Sequence, residues 1–262
     1  MKNIIAVNIA NATITAGGES PDYLFSEGLI DSRLSRVGRT LSDSAQWIKF
    51  AFSAAVDVDT IGIFGNNFTS GATVKIQGNA TDVWTSPTID QALTYTKDNR
   101  KSTELGRDVG IWSYQYSSTQ SYKYWRLYVD DGSNPDTYIE VGFVFLDEAT
   151  VFPGMSVNQV FKRNTTSKTA FSESGQAYGL KRLQYDSVSF NYPAVTESDK
   201  EIVDTFFDKV DIVTPYMMLV WEESLIPQKP MYVVNTSLPE WPRVEQTSGV
   251  MWTTSHEIRE SF

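Results

Sequence analysis

The stretch Gln46-Trp47-Ile48-Lys49-Phe50-Ala51-Phe52 alternates without a break, with Ile48, Phe50 and Phe52 on one side and Trp47, Lys49 and Ala51 on the other. In an extended chain successive side chains point to opposite faces, so a period of two marks a strand with one apolar face. The same texture recurs in Thr60–Phe64, Ala72–Ile76, Ile111–Tyr116, Tyr124–Val129 and Tyr138–Phe145. Turn formers separate these runs, notably Gly65-Asn66-Asn67 and Asp130-Asp131-Gly132-Ser133-Asn134-Pro135. Many short strands with no long amphipathic helix between them predict an antiparallel sandwich over residues 1–150. Ser20 to Ser44 reads as loop, with a short helix around Tyr23 to Ile30.

Beyond Glu148 to Gly154 the pattern changes. Lys181–Tyr192 alternates with Leu183, Tyr185, Ser187 and Ser189 against Arg182, Val188, Phe190 and Tyr192, and a slip midway predicts a bulge there. Glu197 to Val210 follows as a helix. Thr196 or Ser198 can cap it, Ser198 to Glu201 has capping-box spacing, and Ile202, Val203, Phe206, Phe207 and Val210 form one buried stripe. Strands are expected at Tyr216–Trp221, Met231–Asn235 and Val250–Glu257. Residues 151–262 thus read as a small β-barrel carrying one helix at about 197–210, and the chain as mainly all-β in two domains, 1–150 and 151–262.

Composition narrows the function. Of 262 residues, 41% are apolar, enough for a packed core. The 22 basic and 32 acidic side chains give a net charge of −10, which disfavours specific nucleic acid and anionic membranes as partners. The chain has no cysteine, so disulfides, thiolate metal sites and cysteine nucleophiles are excluded. No apolar run is long enough for a signal peptide or a membrane span, which predicts synthesis in the cytosol and no membrane insertion.

Catalytic signatures are absent. The one histidine, His256, lies near the C-terminus with no Gly-x-Ser-x-Gly elbow anywhere, and reads as an exposed or strand-edge residue rather than a triad member. No phosphate-cradling glycine loop occurs. The expectation is therefore a protein that is not an enzyme, with no catalytic, cofactor or metal residues. Two acidic clusters are weighed as cation sites. Asp130 to Asp136 offers hard oxygen ligands, but Asp and Asn are also the ordinary turn formers between strands. Asp57 and Asp59 would share one face of a strand and offer nothing more. Among the aromatics Trp84, Trp112, Tyr114, Tyr116, Tyr122, Tyr124 and Trp125, strand packing is the ruling expectation. Trp84, in Asp82-Val83-Trp84-Thr85-Ser86-Pro87, is the better one for exposure, and Trp84 and Trp112 are the residues to test for sugar binding.

The order Ala45–Phe50, Ile61–Asn67, Thr73–Gly78, Tyr124–Asp130 and Tyr138–Gly142 resembles discoidin-like (galactose-binding-like) jelly rolls over roughly residues 20–148. It is similar to the N-terminal halves of structural proteins in siphophage tails. The second half, through Lys181–Tyr192, Thr196–Val210 and Tyr216–Trp221, more loosely resembles the tail-tube-like barrels of distal-tail and baseplate-hub proteins, with the order of the two parts reversed. The resemblance implies a virion structural protein of a phage tail tip or baseplate. It would form a ring with itself, hexameric in that family, and would contact other tail proteins. The alternative is a carbohydrate-binding adhesin whose partner is a host glycan.

Overall fold

The computed structural model describes residues 2–4, 11–31, 33–98, 110–151, 160–180, 184–220, 229–246 and 249–261. They group into two units, Lys2–Val151 with Tyr216–Pro230, and Phe152–Pro215 with Met231–Ser261. Among the described residues no helix is long and apolar enough to cross a membrane.

The first unit runs β1 (Lys2–Ile4), β2 (Thr13–Ala16), α1 (Phe25–Gly28), β3 (Gly38–Arg39), β4 (Gln46–Phe64), β5 (Thr73–Asn79), β6 (Ile89–Ala92), β7 (Thr94–Lys97), β8 (Gly110–Asp130), β9 (Glu140–Val141), β10 (Phe143–Asp147) and β11 (Ala149–Val151). Its main sheet has the order β10–β4–β8–β5–β6, with β2 also on β4 and β7 also on β8. The fold is mainly β, as the alternation predicts.

Two strands are longer than the sequence pattern suggests. Gln46–Phe52 and Thr60–Phe64 are one 19-residue strand, β4, and Ile111–Tyr116 and Tyr124–Val129 lie in one 21-residue strand, β8. In β8 the joining segment Ser117–Lys123 is mostly polar, and in β4 only Ser53–Ala55 and Asp57 are exposed while Val58 returns to the core, so the apolar alternation breaks between the two halves. Val56↔Tyr122, Asp57↔Ser121 and Val58↔Gln120 nevertheless continue the ladder. Register shifts at Ala51/Val56 and Val58/Thr60 bend the pair, as bulges do. Each end of the pair then has its own neighbours: β2 joins β4 at Ile48–Ala51 and β10 joins it at Thr60–Phe64. Side chains from both ends, Ile48, Phe50, Ile61, Ile63, Trp112, Trp125, Leu127 and Val144 among them, share one buried core. Burial of such apolar and aromatic surface is the main driving force for folding.

The loop after β2 plugs that core with Phe25 and Leu29, both fully buried, the first in the short helix predicted near Tyr23 to Ile30. Close backbone approach fixes two residues as glycine. A Cβ on Gly28 would lie 2.6 Å from the Gly38 nitrogen, and one on Gly38 would fall on the Phe25 ring. Tyr138–Phe145, expected as one strand, is divided into β9 and β10 at Gly142, whose N–H turns aside to the Gly65 carbonyl. The two pieces pair with different partners, β3 and β4.

The second unit runs β12 (Val160–Thr165), β13 (Lys168–Phe171), β14 (Ala177–Leu180), β15 (Gln184–Val195) and α2 (Glu197–Val210). Next in the chain comes β16 (Tyr216–Val220), which belongs to the first unit and pairs with β1, and then β17 (Lys229–Asn235), β18 (Arg243–Gln246) and β19 (Gly249–Glu260) complete the second. β15 lies between β12 and β19, β17 and β18 pair with opposite ends of β19, and β13 and β14 form a separate hairpin. The bulge in β15 falls at Tyr192/Val195, not midway. The midway slip has another cause: Ser187 is covered as well as Val188, because Asn164 Nδ2 donates to its hydroxyl at 2.9 Å. Thr196 is the cap that forms, its hydroxyl accepting from Asp199 N–H at 3.2 Å. Val203, Phe206, Phe207 and Val210 are buried, but Ile202 is 42% exposed and leaves the predicted stripe. Lys181 to Leu183 and Trp221 lie outside the described residues.

Candidate functional site

His256 is buried, which corrects the exposed or strand-edge expectation. It sits in β19 opposite Phe190 of β15, with its ring 4.9 Å from that of Phe207 on α2. Asn235 Nδ2 donates to the Asp211 carbonyl, so its Oδ1 is the acceptor facing His256 Nε2 at 2.9 Å. That arrangement puts the imidazole proton on Nε2 and leaves Nδ1 without a partner among the described residues. Burial pushes the histidine pKa down to about 4, so the ring is neutral near pH 7. Among the described residues it has no serine or carboxylate hydrogen-bond partner, and its position is that of a core side chain.

The two acidic clusters also resolve. Asp57 is exposed whereas Asp59 is buried beyond the bulge, accepting from Thr60 Oγ1 at 2.7 Å and Ala149 N–H at 2.8 Å, so they do not share a face. In the Asp130 to Asp136 loop, Asp131 accepts from Thr69 N–H at 2.8 Å, Thr69 Oγ1 at 2.6 Å and Asn134 Nδ2 at 3.1 Å. Asn134 Oδ1 in turn accepts from Asp136 N–H at 3.0 Å. These oxygens are engaged in tying a turn to the β4–β5 connection. No group of three or more His, Asp or Glu able to hold a metal occurs among the described residues.

The aromatics divide by face. Trp125 is fully buried and Trp112 is 4% exposed beside Tyr95, so neither offers a platform to solvent. Trp84 does. It lies in the loop between β5 and β6, which Asn79 folds back by donating from Nδ2 to the Val83 carbonyl at 2.7 Å. The loop lays the half-exposed indole over the outward face of the sheet, where the Arg126 guanidinium is 4.5 Å from the ring centroid. Its Nε1 donates to Asp82 at 2.7 Å, and Lys49 donates to the other oxygen of the same carboxylate at 2.7 Å.

Register explains why these groups meet. Lys49 pairs with Arg126, Arg126 with Gln77 and Gln77 with Asp90, one row across β4, β8, β5 and β6. Trp47, Tyr128 and Lys75 make the next row, and Tyr124 stands two residues from Arg126 on the same side. Arg126 Nε donates to Gln77 Oε1 at 2.7 Å, Gln77 Nε2 to Asp90 at 2.9 Å, and Lys75 to Asp90 at 2.9 Å. The lysines hold the carboxyls of Asp82 and Asp90 below their ordinary pKa, and burial draws Arg126 below its own. Sequence reasoning found Trp84 but missed Arg126, Gln77 and Asp90. Their alternation marked them only as outward-facing.

A second guanidinium provides a contrast. Arg39 is stacked between Tyr23 and Tyr138, 4.1 and 4.2 Å from their centroids, and both its Nε and an Nη are bonded to Glu140. That cluster is closed on itself and ties β3 to β9.

No family model matches the sequence, and no curated protein does. Solved structures match part of it. A family 32 carbohydrate-binding module of Clostridium perfringens NanJ, in complex with galactose, is 13% identical, with 56% of this chain and 98% of that one covered and a TM-score of 0.40. A second such module, CBM32-3 from a family 31 glycoside hydrolase of Clostridium perfringens, is 13% identical, covering 55% of this chain and 94% of that one, with a TM-score of 0.42. Reduced XRCC1 bound to the DNA polymerase β catalytic domain is 9% identical, covering 55% and 99%, with a TM-score of 0.40. The chain is similar to each of these over little more than half of its length.

Proposed function

We propose that the first unit is a non-catalytic saccharide-binding module whose contact surface is the outward face around Trp84. The observation that carries this reading is the half-exposed Trp84 indole with the Arg126 guanidinium 4.5 Å over its ring, within a row of polar side chains. Sugars present apolar C–H faces and a rim of hydroxyls. A fixed aromatic ring beside carboxylate, amide and ammonium groups complements both. Preorganisation supports it too, because Asn79, Asp82 and Gln77 fix the loop, the indole and the guanidinium in advance. Binding of the full chain to an immobilised glycan panel tests it. Trp84→Ala is expected to abolish binding with the thermal midpoint nearly unchanged, and an unbroken blank across the panel for the parent protein refutes it.

A second reading concerns the other unit: assembly into the ring of a phage tail tip, with the protein located in the virion. Among the described residues β12 pairs only with β15, which leaves one edge open to strand addition. Phe171 and Val213, 73% and 71% exposed, add apolar surface in the same unit. Mass measurement of the purified protein and imaging of tail particles test it, and a monomer absent from every tail overturns it.

A further inference from the structure

Resting on the saccharide reading, we infer that the ligand is an acidic sugar whose carboxylate is received by the terminal amino groups of Arg126. In the row across β4, β8, β5 and β6 and its neighbours stand three cations, Lys49, Lys75 and Arg126, and two anions, Asp82 and Asp90. The lysines are each matched by a direct ion pair, Lys49 to Asp82 at 2.7 Å and Lys75 to Asp90 at 2.9 Å. Arg126 has no such pair. Its one hydrogen bond among the described residues is from Nε to the neutral amide oxygen of Gln77, and both Nη groups are left without a partner. Within these rows the guanidinium is the one charge not matched by an ion pair among the described residues, on a chain of net charge −10.

The guanidinium is also held still. The Trp84 ring covers one of its planes, and Gln77, itself anchored to Asp90, fixes its Nε. A planar fork fixed at one edge and open at the other matches the two oxygens of a carboxylate bidentately. Trp84 would then take the apolar face of the ring that carries this group. Arg39 has its Nε and an Nη spent on one oxygen of Glu140, whereas at Arg126 only Nε is spent among the described residues and the Nη pair is the edge left for an incoming acid.

The experiment titrates the full chain with three probes of equal length: a galacturonate oligosaccharide, its methyl ester, and a sulfated galactan oligosaccharide. Expected is binding of the acid roughly tenfold or more tighter than the ester, as charge-assisted bonds exceed neutral ones, with the advantage shrinking as salt rises. Arg126→Gln should bring acid and ester to equal affinity. Arg126→Lys, which keeps the charge but not the fork, should recover only a small part of the difference. Should Arg126→Gln fail to fold, the acid-to-ester ratio of the parent protein and its response to Arg126→Lys decide alone. Equal binding of acid and ester, or binding of the sulfated oligosaccharide alone, overturns this inference and leaves the saccharide reading standing. No binding to acidic or neutral sugars overturns both.

Discussion

Lowering the pH from 7 to 5 should weaken the second unit through a single buried side chain. His256 has a folded-state pKa of about 4, against 6.5 for the free side chain. Protonation puts a hydrogen on Nδ1, which has no acceptor among the described residues, between the Phe190 and Phe207 rings. The unfolded chain therefore binds the proton first. Between pH 6.5 and 4 it carries more protons than the folded chain, so stability falls as pH falls. With each pH unit of separation worth about 1.4 kcal/mol, the loss is about 2 kcal/mol at pH 5 and about 3 kcal/mol below pH 4. His256→Gln keeps a donor for Asn235 Oδ1 and removes the titration. Urea unfolding of both proteins at pH 7, 6 and 5, followed by a probe of the second unit, isolates the effect, because carboxylate contributions are common to both and cancel in the difference. The parent protein should lose about 2 kcal/mol more than the variant over that range. Parallel stability curves would show that the ring is solvated or paired, and the reasoning from burial would fail.

Trp112→Ala should destabilise the first unit by about 3–5 kcal/mol in denaturant, as large core truncations do, in contrast to the stability-neutral Trp84→Ala. Asp131→Ala removes the acceptor of three hydrogen bonds at a 2% exposed site and should cost about 2–4 kcal/mol. Calcium should not shift the thermal midpoint of the parent protein, and a clear rise would restore the metal reading of that loop. Thr196→Ala removes the α2 cap and should lower stability by about 1 kcal/mol, with Thr196→Ser close to neutral.

Strands whose alternation is driven by one buried face were legible at once, and Ile48, Phe50 and Phe52 are buried as their spacing requires. The segments linking the halves of β4 and β8 were not. Exposed stretches such as Ser53–Ala55 and Ser117–Thr119 have no buried face to impose alternation, and the register shifts on either side of Val56–Val58 break the period that remains. Ile202 carried the right spacing for the α2 stripe but stands at its margin, where the sheet does not cover it. His256 was misjudged because burial depends on α2 folding over β19, a contact between residues some fifty apart in sequence. At the candidate site the tryptophan could be singled out from its polar, turn-rich surroundings. Its partner Arg126 is 42 residues away and was one outward residue among several.

By itself the sequence determined the chemical repertoire and the strand-forming texture: no thiols, one histidine, an acidic balance, and apolar residues every second position. Those are properties of composition and of neighbours along the chain, which the backbone's two-residue repeat expresses directly. Only tertiary structure decided which outward-facing side chains become one surface. Cross-strand register brought Lys49, Arg126, Gln77 and Asp90 into a row. The folded-back β5–β6 loop then set Trp84 on the guanidinium. Register is a property of pairs of strands, set by bulges and hydrogen-bond ladders that no single segment encodes.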